Sequence, residues 1–407
     1  MSSKLRFPSL LWCLTLLVAL SLLPSSPASA QIGTTVDDFL LVPGYYSVGT
    51  AVATNSHGHL YAAGYGKAAT GVEYWVVRKS VDGGGTWATV MTYRYPGGGS
   101  YNKAYAVAVD AADNVYVAGE ASTAKNGLCW VVARSADGGN TWKVVDAPAP
   151  TGGDGAYGIC ATSGGAVYVV GKGGITSRKD SAHWLVRRSV DGGATWATVD
   201  NFQLAANVNA QPTAVAADAG GNVYVAGRAY TGTYSGTAGD NQRWIVRKGT
   251  ASGASWATID NFAYVPGQTV WPQAVAVDDA SGSVYVTGYA NETSTLGHAL
   301  LRKASTSGGG FVTISDYQHE PGRTTTGWCL AIGPSGELVQ GVKAAVSTGG
   351  GAWVIRSSYD GGATFQYQTS PGNGGVPRGL AKSGTSIFAI GSLSDAAGVE
   401  HWITRAF

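Results

Sequence analysis

The stretch Tyr105-Ala-Val-Ala-Val-Asp-Ala-Ala-Asp-Asn-Val-Tyr-Val-Ala-Gly119 decides the fold, because the chain repeats it. Close copies run from Thr213 to Gly227 and from Gln273 to Gly288. Weaker ones run from Thr50 to Gly64, Tyr157 to Gly171, Trp328 to Gly341 and Arg378 to Gly391. The closing glycines stand 55, 52, 56, 61, 53 and 50 residues apart, a period that marks a repeat architecture. After each copy come a variable loop and an apolar segment: Trp75-Val-Val-Arg78, Trp130-Val-Val-Ala133, Trp184-Leu-Val-Arg187, Trp244-Ile-Val-Arg247, Ala299-Leu-Leu-Arg302, Trp353-Val-Ile-Arg356 and Trp402-Ile-Thr-Arg405. That makes seven units.

Each unit reads as four short strands: an Ala/Val strand, a Val-Tyr-Val strand ending at the glycine, the Trp-x-x-Arg strand, and a last strand such as Ala197-Thr-Val-Asp-Asn-Phe202. β-Branched and aromatic residues bounded by Gly, Asp and Asn clusters carry this reading, and no stretch has a helical period. Four antiparallel strands repeated radially describe an all-β, seven-bladed β-propeller of four-stranded antiparallel blades. The seventh unit reaches Phe407 directly after its third strand. Thr34-Thr-Val-Asp-Asp-Phe39 matches the fourth strands of other units but has no unit before it. This N-terminal strand is therefore expected to complete the last blade by pairing with Trp402 to Arg405, which leaves no sheet edge open.

Composition agrees with a packed, ligand-neutral scaffold. Of 407 residues only 13% are charged and 44% are hydrophobic, which excludes a disordered chain. The formal charge is +2, an excess equal to Lys4 and Arg6 at the N-terminus, so no basic face for nucleic acid is expected. Those two residues precede an apolar run from Leu10 to Leu23 and the small-residue tripeptide Ala28-Ser29-Ala30. This is the form of a signal peptide cleaved after Ala30, and the run is too short to span a bilayer. The expected organisation is a leader over residues 1–30 and a single propeller domain over 31–407, secreted or periplasmic, monomeric and without a membrane span. Cys129, Cys160 and Cys329 would remain, an odd number in no metal-binding spacing. Cys160 and Cys329 fall where other units carry Ala, so small buried residues are expected, and no cofactor or metal.

Between third and fourth strands stand Ser80-Val-Asp-Gly-Gly-Gly-Thr-Trp87, Ser135-Ala-Asp-Gly-Gly-Asn-Thr-Trp142, Ser189-Val-Asp-Gly-Gly-Ala-Thr-Trp196 and Ser358-Tyr-Asp-Gly-Gly-Ala-Thr-Phe365. These resemble Asp-boxes, the BNR hairpins of sialidase-type propellers, and the Asp-Asn-Val-Tyr-Val-Ala-Gly segments resemble the bacterial SBBP propeller repeat. The resemblance implies structural roles for Asp82, Asp137, Asp191 and Asp360, which hold the turn, and it carries no activity with it. The sialidase arginine motif has no counterpart ahead of the first hairpin, and its nearest approach, Tyr93-Arg94-Tyr95-Pro96, follows that hairpin.

Residues present in nearly every unit serve the scaffold. On this ground the series Arg78, Arg187, Arg247, Arg302, Arg356 and Arg405 is assigned to stacking or carboxylate pairing between blades, not to an anion site. Function is sought where the repeat is broken at one end of the ring. At the start of each innermost strand the units differ: Thr50, Tyr105, Tyr157, Thr213, Gln273, Trp328, Arg378. Just past each glycine they differ again: Tyr65, Glu120, Lys172, Arg228, Tyr289, Val342, Ser392. The candidate binding residues are Tyr105, Tyr157, Trp328, Arg378, Gln273, Glu120, Lys172, Arg228 and Tyr289. Rim loops add Tyr45, Tyr46, Tyr101, Tyr230, Tyr234, Tyr264, Trp271, Tyr317, His319, Glu320 and Arg323. Flat aromatic faces beside directional polar groups suit a glycan or an extracellular peptide. No catalytic set can be assembled from spacing, and the alternative reading is a polysaccharide hydrolase or lyase using rim carboxylates.

Overall fold

The computed structural model describes residues 33–407 apart from 126, 150, 152, 175–180, 233–241 and 348, and the backbone alone of 370–373. The leader expected over residues 1–30 and the rim candidate Tyr234 lie outside the described residues. Within them the regular structure is entirely β: seven four-stranded antiparallel blades form a β-propeller. Blade 3 is representative, its strands Gly155–Ala161, Val167–Gly173, His183–Ser189 and Ala197–Phe202 lying in sequence order from hub to rim. Blades stack face to face, so the second strand is covered on both sides and reads as an unbroken apolar run. The outermost strand keeps one exposed face and alternates.

The ring closes as expected. The strand Thr34–Phe39 pairs antiparallel with Glu400–Ala406, Phe39 standing opposite Trp402. Those two rings meet edge to face at 6.0 Å, and His401 Nδ1 lies 2.7 Å from Asp38 Oδ1 across the same pair. Blades 6 and 7 share one continuous strand, Gln366–Ser383, which is the outer strand of one and the innermost of the next.

A layer of ion pairs joins neighbouring blades, and the Trp-x-x-Arg arginines supply it. Arg187 reaches Asp146 of blade 2 with Nε–Oδ2 at 2.7 Å and Nη2–Oδ1 at 2.8 Å. Arg247 grips Asp200, Arg302 grips Asp260 and Arg78 grips Asp37 in the same two-pronged way. Because Asp37 lies on the N-terminal strand, that last pair bolts blade 7 to blade 1. Phe39, Phe202 and Phe262 lie under the guanidinium groups of Arg78, Arg247 and Arg302 at 4.1, 4.2 and 3.8 Å. A planar cation bonded at its edge and covered on its face leaves little of its charge unpaired, which is what burial demands.

Where the pair is broken, both partners change. Met91 takes the aspartate's register position in blade 1, Ala133 takes the arginine's in blade 2, and the two belong to one apolar cluster. Between blades 5 and 6 Ser315 replaces the carboxylate, and Arg356 bonds Ser315 Oγ at 3.2 Å and Gln340 Oε1 at 3.0 Å. Burial pushes the Arg356 guanidinium down to about 10.

Candidate binding site at the mouth of the ring

In every blade one residue of the innermost strand drops out of the ladder as a β-bulge. The skipped residues are Thr50, Tyr105, Tyr157, Thr213, Gln273, Trp328 and Arg378. This is the divergent series read from the sequence, with two corrections to its setting. The innermost strands of blades 1–6 begin two or three residues earlier than expected, at Ser47, Asn102, Gly155, Ala210, Val270 and Thr325. The second strands do not end at the glycine either; they continue past it, to Lys67 in blade 1 and Tyr230 in blade 4. A bulge rotates its extra residue out of the pleat, so each blade presents one side chain to the axis.

The bulge also explains the repeated glycine. A Cβ on Gly171 would lie 1.9 Å from the Gly155 carbonyl oxygen and 2.6 Å from the Trp130 ring of the preceding blade; on Gly119 the corresponding distances are 2.1 Å to Lys103 and 2.9 Å to Trp75. The carbonyl two residues before the bulge and the neighbour's tryptophan together leave no room for a side chain. Blade 6 tests this, because blade 5 carries Ala299 in place of the tryptophan. There Gly327 pairs with Val342, so the second-strand glycine position is occupied by valine, packed in one cluster with Ala299. The sequence alignment had put Gly341 at that position. The residue that corresponds to Glu120 and Arg228 in blade 6 is therefore Lys343, paired with Thr326, and not Val342.

All seven bulge residues line one cavity of about 360 Å³ at the mouth. Tyr289, Trp271 and Gln211 complete the lining. Tyr289 and Trp271 face each other across the strand pair and their rings lie 6.1 Å apart. Among the described residues the wall thus holds the aromatic rings of Tyr105, Tyr157, Trp271, Tyr289 and Trp328, the amides of Gln211 and Gln273, the Arg378 guanidinium, and no carboxylate. Thr50 and Thr213 are occupied structurally: each hydroxyl lies between a carbonyl of its own blade and one of the next blade's innermost strand and shares its single hydrogen with them. Gln211 was missed in the sequence. It lies two residues before a bulge, and strand alternation puts such positions on the same face, where Lys103, Trp271 and Thr326 diverge too.

Of the nine candidate residues, Tyr105, Tyr157, Gln273, Tyr289, Trp328 and Arg378 meet in this cavity, whereas Glu120, Lys172 and Arg228 do not line it. Glu120 is buried beneath a tyrosine cluster. It accepts from Tyr105 Oη at 2.6 Å, Tyr101 Oη at 2.9 Å and Tyr157 Oη at 3.4 Å. Burial, reinforced by the Glu120 carboxylate, pushes the Tyr105 and Tyr157 phenols far up, so they remain protonated donors. Gly155 makes this possible, since a Cβ there would lie 2.6 Å from Glu120 Oε2. On the neighbouring blade Glu73 accepts from Tyr46 and pairs with Lys103 at 3.5 Å. Lys172 lies over the Tyr157 ring at 5.9 Å.

Arg228 stacks on Trp271, its guanidinium carbon 3.4 Å from the ring centroid. It lines a second cavity of about 510 Å³ with Tyr230, Gln242 and Asn209, which shares Trp271 and Tyr289 with the central one. Most rim-loop aromatics serve packing. Tyr317 lies against Arg356 at 3.9 Å and bonds His319 at 2.9 Å, Tyr264 donates to Asp316 at 2.6 Å, and Glu320 pairs with Arg323 at 3.2 Å.

Away from the mouth, the Ser-x-Asp hairpins close on themselves. Asp137 accepts from Ser135 Oγ at 2.8 Å, Thr141 N at 2.8 Å and Thr141 Oγ1 at 2.6 Å, and Asp82, Asp191 and Asp360 repeat the pattern. The three described cysteines are free thiols; burial pushes Cys129 up to about 11 and Cys160 up to about 12.

No family model matches the chain, and no curated protein matches it. Solved structures do. An ulvan lyase, a polysaccharide lyase bound to -[GlcA(1-4)Rha3S]-, aligns at 13% identity over 93% of this chain and 95% of its own, with a TM-score of 0.57. An α-L-arabinofuranosidase of Fusarium graminearum in complex with an iminosugar inhibitor aligns at 14% identity over 77% and 94%, TM-score 0.51. The β-propeller domain of the Trilobed protease of Pyrococcus furiosus aligns at 6% over 88% and 95%, TM-score 0.51. At such identities the likeness is one of fold.

Proposed function

We propose that the protein is an exported glycan-binding propeller that holds its ligand in the mouth of the ring without catalysing a reaction. The observation that carries this reading is the lining of the central cavity: aromatic rings and amides from successive blades and, among the described residues, no carboxylate. Sugar rings stack on such faces and take hydrogen bonds from amides and phenols. Hydrolysis by paired carboxyls needs two of them about 5–10 Å apart. The Glu120 carboxylate, which lies beneath this wall, is engaged by three tyrosine hydroxyls. Export rests on the leader read from the sequence, and the self-bonded Ser-x-Asp hairpins support reading them as Asp-boxes. Two of the similar structures act on or bind carbohydrate, and they are consistent with a glycan partner.

A glycan array probed with the full chain tests the proposal. Trp328→Ala and Tyr105→Ala should each weaken the captured glycan about tenfold, the usual scale for losing a stacked ring. Binding that is indifferent to both substitutions removes the mouth as the site. Appearance of new reducing ends, or of the ultraviolet absorbance of an unsaturated uronate, on incubation with a captured polysaccharide would establish the enzyme reading instead.

A further inference from the structure

We infer that the ligand is an acidic polysaccharide lying along the mouth over blades 4 to 7, with its carboxylates or sulfates taken by Arg228, Lys343 and Arg378. This rests on the glycan reading above and names the class of glycan. Three cavities adjoin there. The central one shares Tyr289 and Trp271 with the Arg228 cavity, and shares Tyr289 and Trp328 with a third, of about 320 Å³, lined by Lys343. Among the described residues each is lined by one cation and no carboxylate: Arg378 in the centre, Arg228 on one side, Lys343 on the other.

What distinguishes these cations is the absence of the aspartate that four of the interface arginines have. At the interfaces Arg78, Arg187, Arg247 and Arg302 are each bonded by two nitrogens to an aspartate. Among the described residues Arg228, Lys343 and Arg378 pair with no carboxylate, and the Nε atoms of Arg228 and Arg378 are buried without a hydrogen-bond acceptor. Aromatic faces, not anions, orient them: Trp271 under Arg228, and Trp328 at 5.2 Å from Arg378. A guanidinium held on a ring with its edge free is disposed to receive a planar carboxylate or a sulfate by two parallel bonds. The nearby carboxylates Glu73 and Glu120, on blades 1 and 2, are engaged by tyrosine hydroxyls, and Glu400, on blade 7, accepts from Ser392 Oγ. Between the cations stand the shared aromatic residues Trp271, Tyr289 and Trp328, on which an intervening sugar ring can lie.

The test is calorimetric titration of the full chain with oligogalacturonate, its fully methyl-esterified counterpart, and poly-L-glutamate. Oligogalacturonate should bind at least about tenfold more tightly than the ester, as expected for charge-assisted bonds, and lose affinity as salt is raised. Arg378→Gln and Lys343→Gln should each bring the affinity for the acid most of the way down to that for the ester, measured on the same variant. Equal binding of acid and ester overturns the inference and leaves the glycan reading standing. Binding of poly-L-glutamate as tight as that of oligogalacturonate, with the same dependence on Arg378, overturns the assignment to a sugar. Failure of both uronates to bind, with a neutral glycan captured on the array, also overturns it, since the mouth would then take uncharged sugars.

Discussion

At the blade interfaces Arg78, Arg187, Arg247 and Arg302 each reach an aspartate of the neighbouring blade, whereas at the mouth Arg228 and Arg378 lie against tryptophan and reach no carboxylate. Both sets are arginines on strands of the same repeat, partly covered by aromatic rings. The difference is the partner. A buried cation that has its counter-ion within the chain is finished, and its removal damages the fold. One whose polar edge is unsatisfied contributes little to the fold and is available to a ligand.

Breaking one interface pair should have the largest effect. Asp200→Met leaves Arg247 buried and unpaired and should cost about 3–5 kcal/mol in denaturant unfolding, the scale for stranding a buried charge. Adding Arg247→Ala copies the Met91 and Ala133 arrangement already present between blades 1 and 2, so the double variant should recover most of that loss. A double variant no more stable than the single one would show that the interface arginines are not defined by their aspartates. Next comes Gly171→Ala, which drives a methyl against the Gly155 carbonyl and the Trp130 ring; about 2–3 kcal/mol is expected for such overpacking, together with displacement of Tyr157 at the mouth.

Acid should act on the hairpins. The Thr86, Thr141 and Thr195 donors hold Asp82, Asp137 and Asp191 down at about 2, against about 4 in an unfolded chain. Folding therefore favours their ionised forms: the contribution is complete above about pH 4 and disappears as pH falls from about 4 towards 2. Thermal unfolding followed across that window should show a falling midpoint, with a shallower fall in Asp137→Asn. Smaller still is Tyr105→Phe, which removes one of the three phenols on Glu120 and should cost about 1 kcal/mol. Arg378→Gln should be the smallest, within about 0.5 kcal/mol of the parent, because no protein carboxylate loses its partner. A large loss there would erase the distinction between the two sets of arginines.

The interface pairs were partly legible in the sequence. The assignment of the arginine series to blade-to-blade contacts stands in the structure, but the specific aspartates went unnamed, although the signal was present. Asp37, Asp146, Asp200 and Asp260 each precede an arginine by 41, 41, 47 and 42 residues, and the unit without the arginine, at Ala133, follows the unit without the aspartate, at Met91. The slip at blade 6 is instructive too. A glycine was taken as the landmark, whereas the requirement is for space beside the preceding blade's tryptophan, and with Ala299 in that place the landmark moved.

Strand content, the number of blades and the closing strand were all contained in the sequence, because alternation, turn chemistry and repetition act over a few residues and recur with a fixed period. The bulges, the sequestration of Glu120 by tyrosines from two blades, and the choice of which cations remain unpaired were decided only by the tertiary structure. Each depends on which atoms of one blade meet the next, and a separation of some forty residues along the chain does not specify that contact until the ring has closed.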